Sequence, residues 1–225
     1  MRQKKKMSPI LQKEYLVFLL IPCIQVFACV QYIDGFDRVI SYLLYILVNV
    51  VVTILMYRGI ELLGAKYDLR RWQISVCLIL ALVVVDQVIK GVLQYTGFES
   101  RVIGEWVMIK QVHNVNQTGL FNYFHIQLER IFVILFKVCT FAVLLCFYSK
   151  VKTKEARIAF LLLVAAQLSN LFDTLLRNET LDYIYFYKLI CYDLKDYFVD
   201  AGLAAFLLSL WLRYQKEKQS VERRD

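Results

Sequence analysis

Four ionisable residues, Asp86, Lys90, Asp173 and Asp196, lie inside or at the ends of long apolar runs in this 225-residue chain. If those runs cross a membrane, each charge costs about 2.5–3.5 kcal/mol on insertion scales, so each requires a partner or a role. Asp86 and Lys90 are four residues apart with the acid first, which puts them on one helix face as a pair. That arrangement reads as a structural ion pair near the outer end of its span. Asp173 follows Ala165-Ala166-Gln167-Leu168-Ser169-Asn170-Leu171-Phe172, small and amide side chains that permit close helix packing, with Asn170 one turn before the acid. Asp196 opens the last apolar run. Two acids from consecutive spans at one membrane–water boundary suit aspartyl hydrolysis. Close carboxyl groups resist double ionisation and share a proton, so one polarises a carbonyl while the other activates water. An acid at a helix start, taken alone, is more simply a cap; its pairing with Asp173 favours the chemical role.

The elements that must position these residues follow from composition. The chain is 59% hydrophobic with a mean hydropathy of +0.52, against about 45–50% apolar residues in soluble domains. Apolar runs at about 15–33, 39–57, 73–95, 130–148, 156–176 and 197–213 approach or exceed the roughly 20 residues a helix needs to span the hydrocarbon core. Only helices or closed barrels satisfy their backbone groups in lipid. The sequence therefore predicts an all-α membrane protein, a six-helix transmembrane bundle. With both termini in the cytoplasm, 17 of the 27 Lys and Arg residues fall on the inner side and 7 on the outer, as the positive-inside rule requires. Segments 96–129 and 177–195 then face the exterior. The net charge of +8 sits between apolar runs and forms no stripe with interleaved aromatics, so no nucleic-acid partner is expected.

A small external β element is expected between the third and fourth spans, at about 97–129. Trp106-Val107-Met108-Ile109-Lys110-Gln111-Val112 is rich in strand formers and runs into Asn114, Asn116, Gln117 and Gly119, a turn signal. Six cysteines without a CxxC spacing, and only two histidines, predict neither a metal site nor a disulfide framework. The first apolar run follows Arg2, Lys4, Lys5 and Lys6 and contains Val26-Phe27-Ala28-Cys29, which loosely mimics a lipobox. It is longer than a cleavable signal core, and a second span follows closely, so it is expected to stay uncut.

Taken together, the chain resembles the signal peptidase II family of intramembrane aspartyl proteases. The resemblance rests on Asp86-Gln87-Val88-Ile89-Lys90, Asn116-Gln117-Thr118-Gly119-Leu120-Phe121, Ser169-Asn170-Leu171-Phe172-Asp173-Thr174, Leu181-Asp182-Tyr183-Ile184 and Tyr192-Asp193-Leu194-Lys195-Asp196, in that order. It implies a four-helix core at 73–213 with an external cradle, two additional spans within 1–72, and a basic cytoplasmic tail at 214–225. It further implies that Asp173 and Asp196 are the catalytic pair, supported by Asn170, Asp193 and Lys195. Asn116, Gln117 and Gly119 would line the substrate cleft. The implied substrate is a prolipoprotein signal peptide carrying diacylglycerol on its lipobox cysteine, cut just before that cysteine at the external face of a bacterial cytoplasmic membrane. Membrane lipid would be the other partner, and no cofactor is implied. The chain departs from the family pattern at four motif residues and by one insertion. Ser169 stands for Gly, Thr174 for Arg, Asp193 for Asn and Lys195 for Ala, and the cradle motif carries one extra residue. Two other readings compete: a non-catalytic paralogue that binds lipoproteins or assists their assembly, and a small proton-coupled carrier. The second lacks support from any inverted repeat or Gly/Pro-broken helix pair.

Overall fold

The structure, a computed structural model, describes residues 15–29, 36–114, 129–187 and 189–222. Six helices among them follow the six apolar runs: α1 (Leu16–Cys29), α2 (Phe36–Lys66), α3 (Trp72–Thr96), α4 (Arg130–Lys150), α5 (Lys154–Leu176) and α6 (Leu194–Glu222). Helices α2 to α5 are long and apolar enough to cross a membrane. Helix α1 is apolar but only 14 residues long, and the 29 residues of α6 carry charges at both ends.

Helix α5 is the central post. Its start is set by Thr153, whose hydroxyl accepts from the Ala156 N–H at 3.3 Å, and its apolar residues run round the whole cylinder, the pattern of a buried helix. Ile158, Ala159, Leu161, Leu162 and Ala165 are completely enclosed. Helix α6 lies close against it. A Cβ on Gly202 would come within 3.0 Å of the Ala159 carbonyl oxygen and 2.9 Å of Leu163, so only glycine permits this approach; small residues play this part widely in membrane bundles. Helices α3 and α4 pack on α5 and turn Leu80, Val84, Val88, Phe132, Leu135 and Val138 outward, as lipid-facing surfaces do. Helix α3 ends at Gly97, whose φ of +62° and N–H bond to the Leu93 carbonyl at 2.9 Å terminate it. Helices α1 and α2 pack on α6.

The external sheet differs from expectation. Its strands are β1 (Ser100–Ile103), β2 (Val107–Asn114), β3 (Thr180–Phe186) and β4 (Ile190–Tyr192), antiparallel and ordered β1-β2-β3-β4. Only half of the β element lies between α3 and α4. The other half comes from the segment between α5 and α6. The reason is compositional: Thr-Leu-Asp-Tyr-Ile-Tyr-Phe is dense in β-formers and registers against β2 from Val107 opposite Phe186 to Asn114 opposite Thr180. Strand β3 links the ends of α5 and α6. This connection brings their carboxylates together.

Candidate active site

Lys90 is the hub of the site. Its Nζ lies 2.8 Å from Asp86 Oδ2, 2.7 Å from Asp173 Oδ2 and 2.7 Å from Asp193 Oδ2, all four side chains fully buried. The expected Asp86–Lys90 pair is thus one edge of a larger array, because β3 swings Asp193 down onto the same ammonium. Asp86 Oδ2 also accepts from the Ser169 hydroxyl at 2.5 Å, so the serine where the resemblance expects glycine adds a donor to a buried carboxylate. Asp173 accepts from Gln87 Nε2 at 2.9 Å and lies 3.3 Å from Arg177. Arg177, one turn beyond the acid, supplies a guanidinium although Thr174 lacks one.

Asp193 and Asp196 form the start of α6 reciprocally. The Asp196 N–H donates to Asp193 Oδ1 at 3.1 Å and the Asp193 N–H donates to Asp196 Oδ2 at 3.2 Å, a capping box in which two carboxylates fill both roles. The Leu194 N–H donates to the Tyr183 hydroxyl at 3.0 Å, anchoring the cap to β3. One Asp196 oxygen therefore serves the cap while Oδ1 remains turned to Lys195 Nζ, 4.0 Å away. That ammonium also contacts Asp193, and lies 3.5 Å from Asp182 and 3.7 Å from Asp173. The structure thus brings Asp173 and Asp196 within 3.7 and 4.0 Å of a single ammonium. Asp193 and Lys195, two of the four departures from the family pattern, are each other's partners.

Asp196, Lys195, Asp182 and Asn170 line an open cavity of about 590 Å³ at the sheet end of the bundle, whereas Asp173 is fully buried. A second recess of about 230 Å³ reaches Asp196 along Leu144, Leu163, Ala166 and Val199. Among the described residues, two trios of acids have the spacing of metal ligands, Asp86–Asp173–Asp193 and Asp182–Asp193–Asp196. Lysine ammonium groups contact every member of both: Lys90 the first, Lys195 the second. Asn116, Gln117 and Gly119 lie outside the described residues; their neighbour Asn114, ending β2, lines the cavity.

Sequence reasoning missed two membrane-depth charges. Lys137 of α4 is fully buried, donating to Asn170 Oδ1 at 2.9 Å and Thr174 Oγ1 at 2.5 Å. Asn170, expected to support the acids directly, instead accepts from this lysine. Asp200 of α6 is 2% exposed. Both were visible by the same test that singled out the other four, a charge inside an apolar run.

Burial pushes the Asp182 carboxyl up to about 6, with Lys195 opposing and Asp193 reinforcing that rise. At Asp193 burial works the same way, but Lys195 and Lys90 outweigh it and hold this carboxyl below the usual range. An acid raised on folding binds more protons folded than unfolded between its two pKa values, so its contribution to stability falls as pH rises through that window. Asp182→Asn should therefore gain on the wild type progressively from about pH 4 to pH 6, by roughly 2–3 kcal/mol. Thermal unfolding in detergent across that range, with variant and wild type compared at each pH, measures the difference.

The bundle of apolar helices carrying a small sheet is similar in fold to solved structures of bacterial membrane enzymes. The fold matches one such enzyme solved by the in meso method at 2.3 Å, with a TM-score of 0.56 and 20% identity, over 65% of this chain and 92% of that one. A second, solved by the same method at 1.9 Å, matches with a TM-score of 0.55 and 21% identity, over 62% and 94%. The family model for signal peptidase (SPase) II matches residues 78–212, and the chain belongs to that family. Family membership indicates a protease of the lipoprotein signal peptidase kind in a multi-pass membrane protein. No curated protein matches the chain.

Proposed function

We propose that this protein is an intramembrane aspartyl endopeptidase that cleaves diacylglyceryl-modified prolipoproteins immediately before the lipidated cysteine, with Asp173 and Asp196 as its catalytic pair. The supporting observation is the position of Asp196: on the wall of the open cavity, at the head of an apolar recess, with Asp173 beside the same ammonium. Five carboxyl groups (Asp86, Asp173, Asp182, Asp193, Asp196) meet three cations (Lys90, Arg177, Lys195). Full ionisation would leave two uncompensated negative charges in a buried site, which favours retention of a proton on the acids. The protonated acid donates a hydrogen bond to the scissile carbonyl, and its partner takes a proton from water as the water oxygen attacks. Collapse of the adduct breaks the C–N bond, and the leaving amine takes the proton. The chain in this reading has six spans, with α1 and α6 completing the four longest, both termini in the cytoplasm, and the site at the outer face of a bacterial cytoplasmic membrane. Asparagine at Asp173 or Asp196 is the direct test: a peptidase accumulates uncut prolipoprotein.

Lys195 supports a second reading, a non-catalytic member that binds the lipidated peptide, because its ammonium adjoins the space an attacking water needs. The two departures at Asp193 and Lys195 separate the readings. Each single change toward the family pattern shifts the net charge beside the pair by one unit, a large perturbation in a poorly screened site. Lys195→Ala should move the pH–rate profile of cleavage to higher pH by about one unit or more. Asp193→Asn should move it to lower pH, and the double variant should return it to the wild-type position. Absence of cleavage at every pH in all four proteins, with the lipidated peptide still bound, would favour the binding reading.

A further inference from the structure

Asp200 lies one turn beyond Asp196 on α6, and the hydrogen-bond donors that reach it include side chains from outside residues 78–212, the part that the family model matches. Gln25 Nε2 of α1 donates to its Oδ1 at 2.9 Å and Asn49 Nδ2 of α2 donates to its Oδ2 at 2.6 Å. The Tyr192 hydroxyl donates to Oδ2 at 2.8 Å. Tyr45 of α2 closes the network, its hydroxyl 2.8 Å from that of Tyr192 and bonded to Gln25. Among the described residues no cation reaches this carboxylate. Its partners are amides and phenols, which bind it by direction and hence orient the helices they come from. In hydrocarbon each of these polar groups would cost several kcal/mol unpaired, so the network holds α1 and α2 on α6.

The consequence concerns access. Gln25, Tyr192 and Asp200 line the same cavity as Asp196, so α1, braced from behind by α2, closes its flank along one side of α6. On the other side the bundle is open. Helices α4 and α6 both pack on α5 yet scarcely touch each other, and the recess between them, bordered by Leu144 and Val199, runs to Asp196. Building on the function proposed above, we propose that α1 and α2 are a side wall of the cleft, latched to α6 through Asp200, so that a membrane-borne peptide helix reaches Asp196 only between α4 and α6. The wall determines which face of a peptide helix is presented to the acids.

The test places a photoreactive residue at Leu144 or at Val52, half-buried on α2 against the cluster of Tyr45 and Tyr192, in the full chain reconstituted in vesicles. The probe is a synthetic signal peptide bearing a diacylglyceryl cysteine. Capture at Leu144 should exceed capture at Val52 by at least tenfold, and Asn49→Leu, which unlatches the wall, should raise capture at Val52 several-fold in a protein that still folds. Equal capture at the two positions, capture at neither, or a ratio unchanged by Asn49→Leu would overturn the wall. Turnover is read separately from whether the captured peptide is cut. Capture at Leu144 of peptide that is never cut supports the wall while removing the peptidase reading.

Discussion

Asp196→Asn is expected to reduce cleavage of a diacylglyceryl-modified prolipoprotein by a factor of about 10²–10⁴, the usual scale for loss of a positioned acid–base group. This substitution is the informative one because of what it leaves intact. Asparagine still offers an oxygen to the Asp193 N–H, so the capping box at the start of α6 keeps the bond now made at 3.2 Å. The side chain keeps its size on the cavity wall. Only the capacity to ionise and to carry the proton goes. Asp173→Asn should be equally inactive but is a less specific probe, since Asp173 also contacts Lys90 and Arg177 and its loss disturbs packing. Residues that act as one unit do not add, so the double variant should be no slower than Asp196→Asn alone. The assay is cleavage in proteoliposomes, alongside a melting curve confirming that Asp196→Asn folds as the wild type does. A folded Asp196→Asn variant that cleaves at the wild-type rate would remove the aspartyl assignment.

The positions of the helices were legible because membrane spans are written in long apolar runs, and each of the six described helices overlaps one of them. The convergence of Asp173 and Asp196 on one region followed from topology, since consecutive antiparallel spans bring the end of one near the start of the next. What the sequence concealed depends on tertiary contact. Thr180–Phe186 reads as a strand only once β2 is present to pair with it, so the sheet was seen as half its size. Asp86 and Lys90 satisfy the local i,i+4 rule so well that nothing in their spacing points to Asp173 or Asp193. Gln25 and Asn49 carry no charge and stand in ordinary apolar spans; their meaning appears only opposite Asp200. That Lys195 partly offsets the extra carboxylate of Asp193 follows from their charges alone; that the two touch directly does not.

Lys90→Met should be among the most destabilising single changes in the protein, and its partial rescue distinguishes a hub from a simple pair. Removing one partner of a buried ion pair costs about 3–5 kcal/mol, because the other charge is left buried and uncompensated. Here the loss uncovers three carboxylates at once, those of Asp86, Asp173 and Asp193, each within 2.8 Å of the ammonium. The expected cost is at or above the top of that range, seen as a large fall in melting temperature in detergent and rapid proteolysis of the external sheet. If Asp86 and Lys90 formed an isolated pair, replacing both by apolar residues would restore stability nearly in full, since such swaps are often neutral or favourable. The array predicts otherwise. In Asp86→Leu/Lys90→Met, Asp173 keeps Arg177 and Gln87, and Asp193 keeps Lys195 and the α6 cap, yet both have lost their shortest link to α3. Recovery should therefore be partial, and the double variant should remain less stable than Asp86→Leu alone. Complete recovery would mean that Lys90 does not hold α3 to the acids of α5 and α6, and that the site is kept together by β3 and the α6 cap instead.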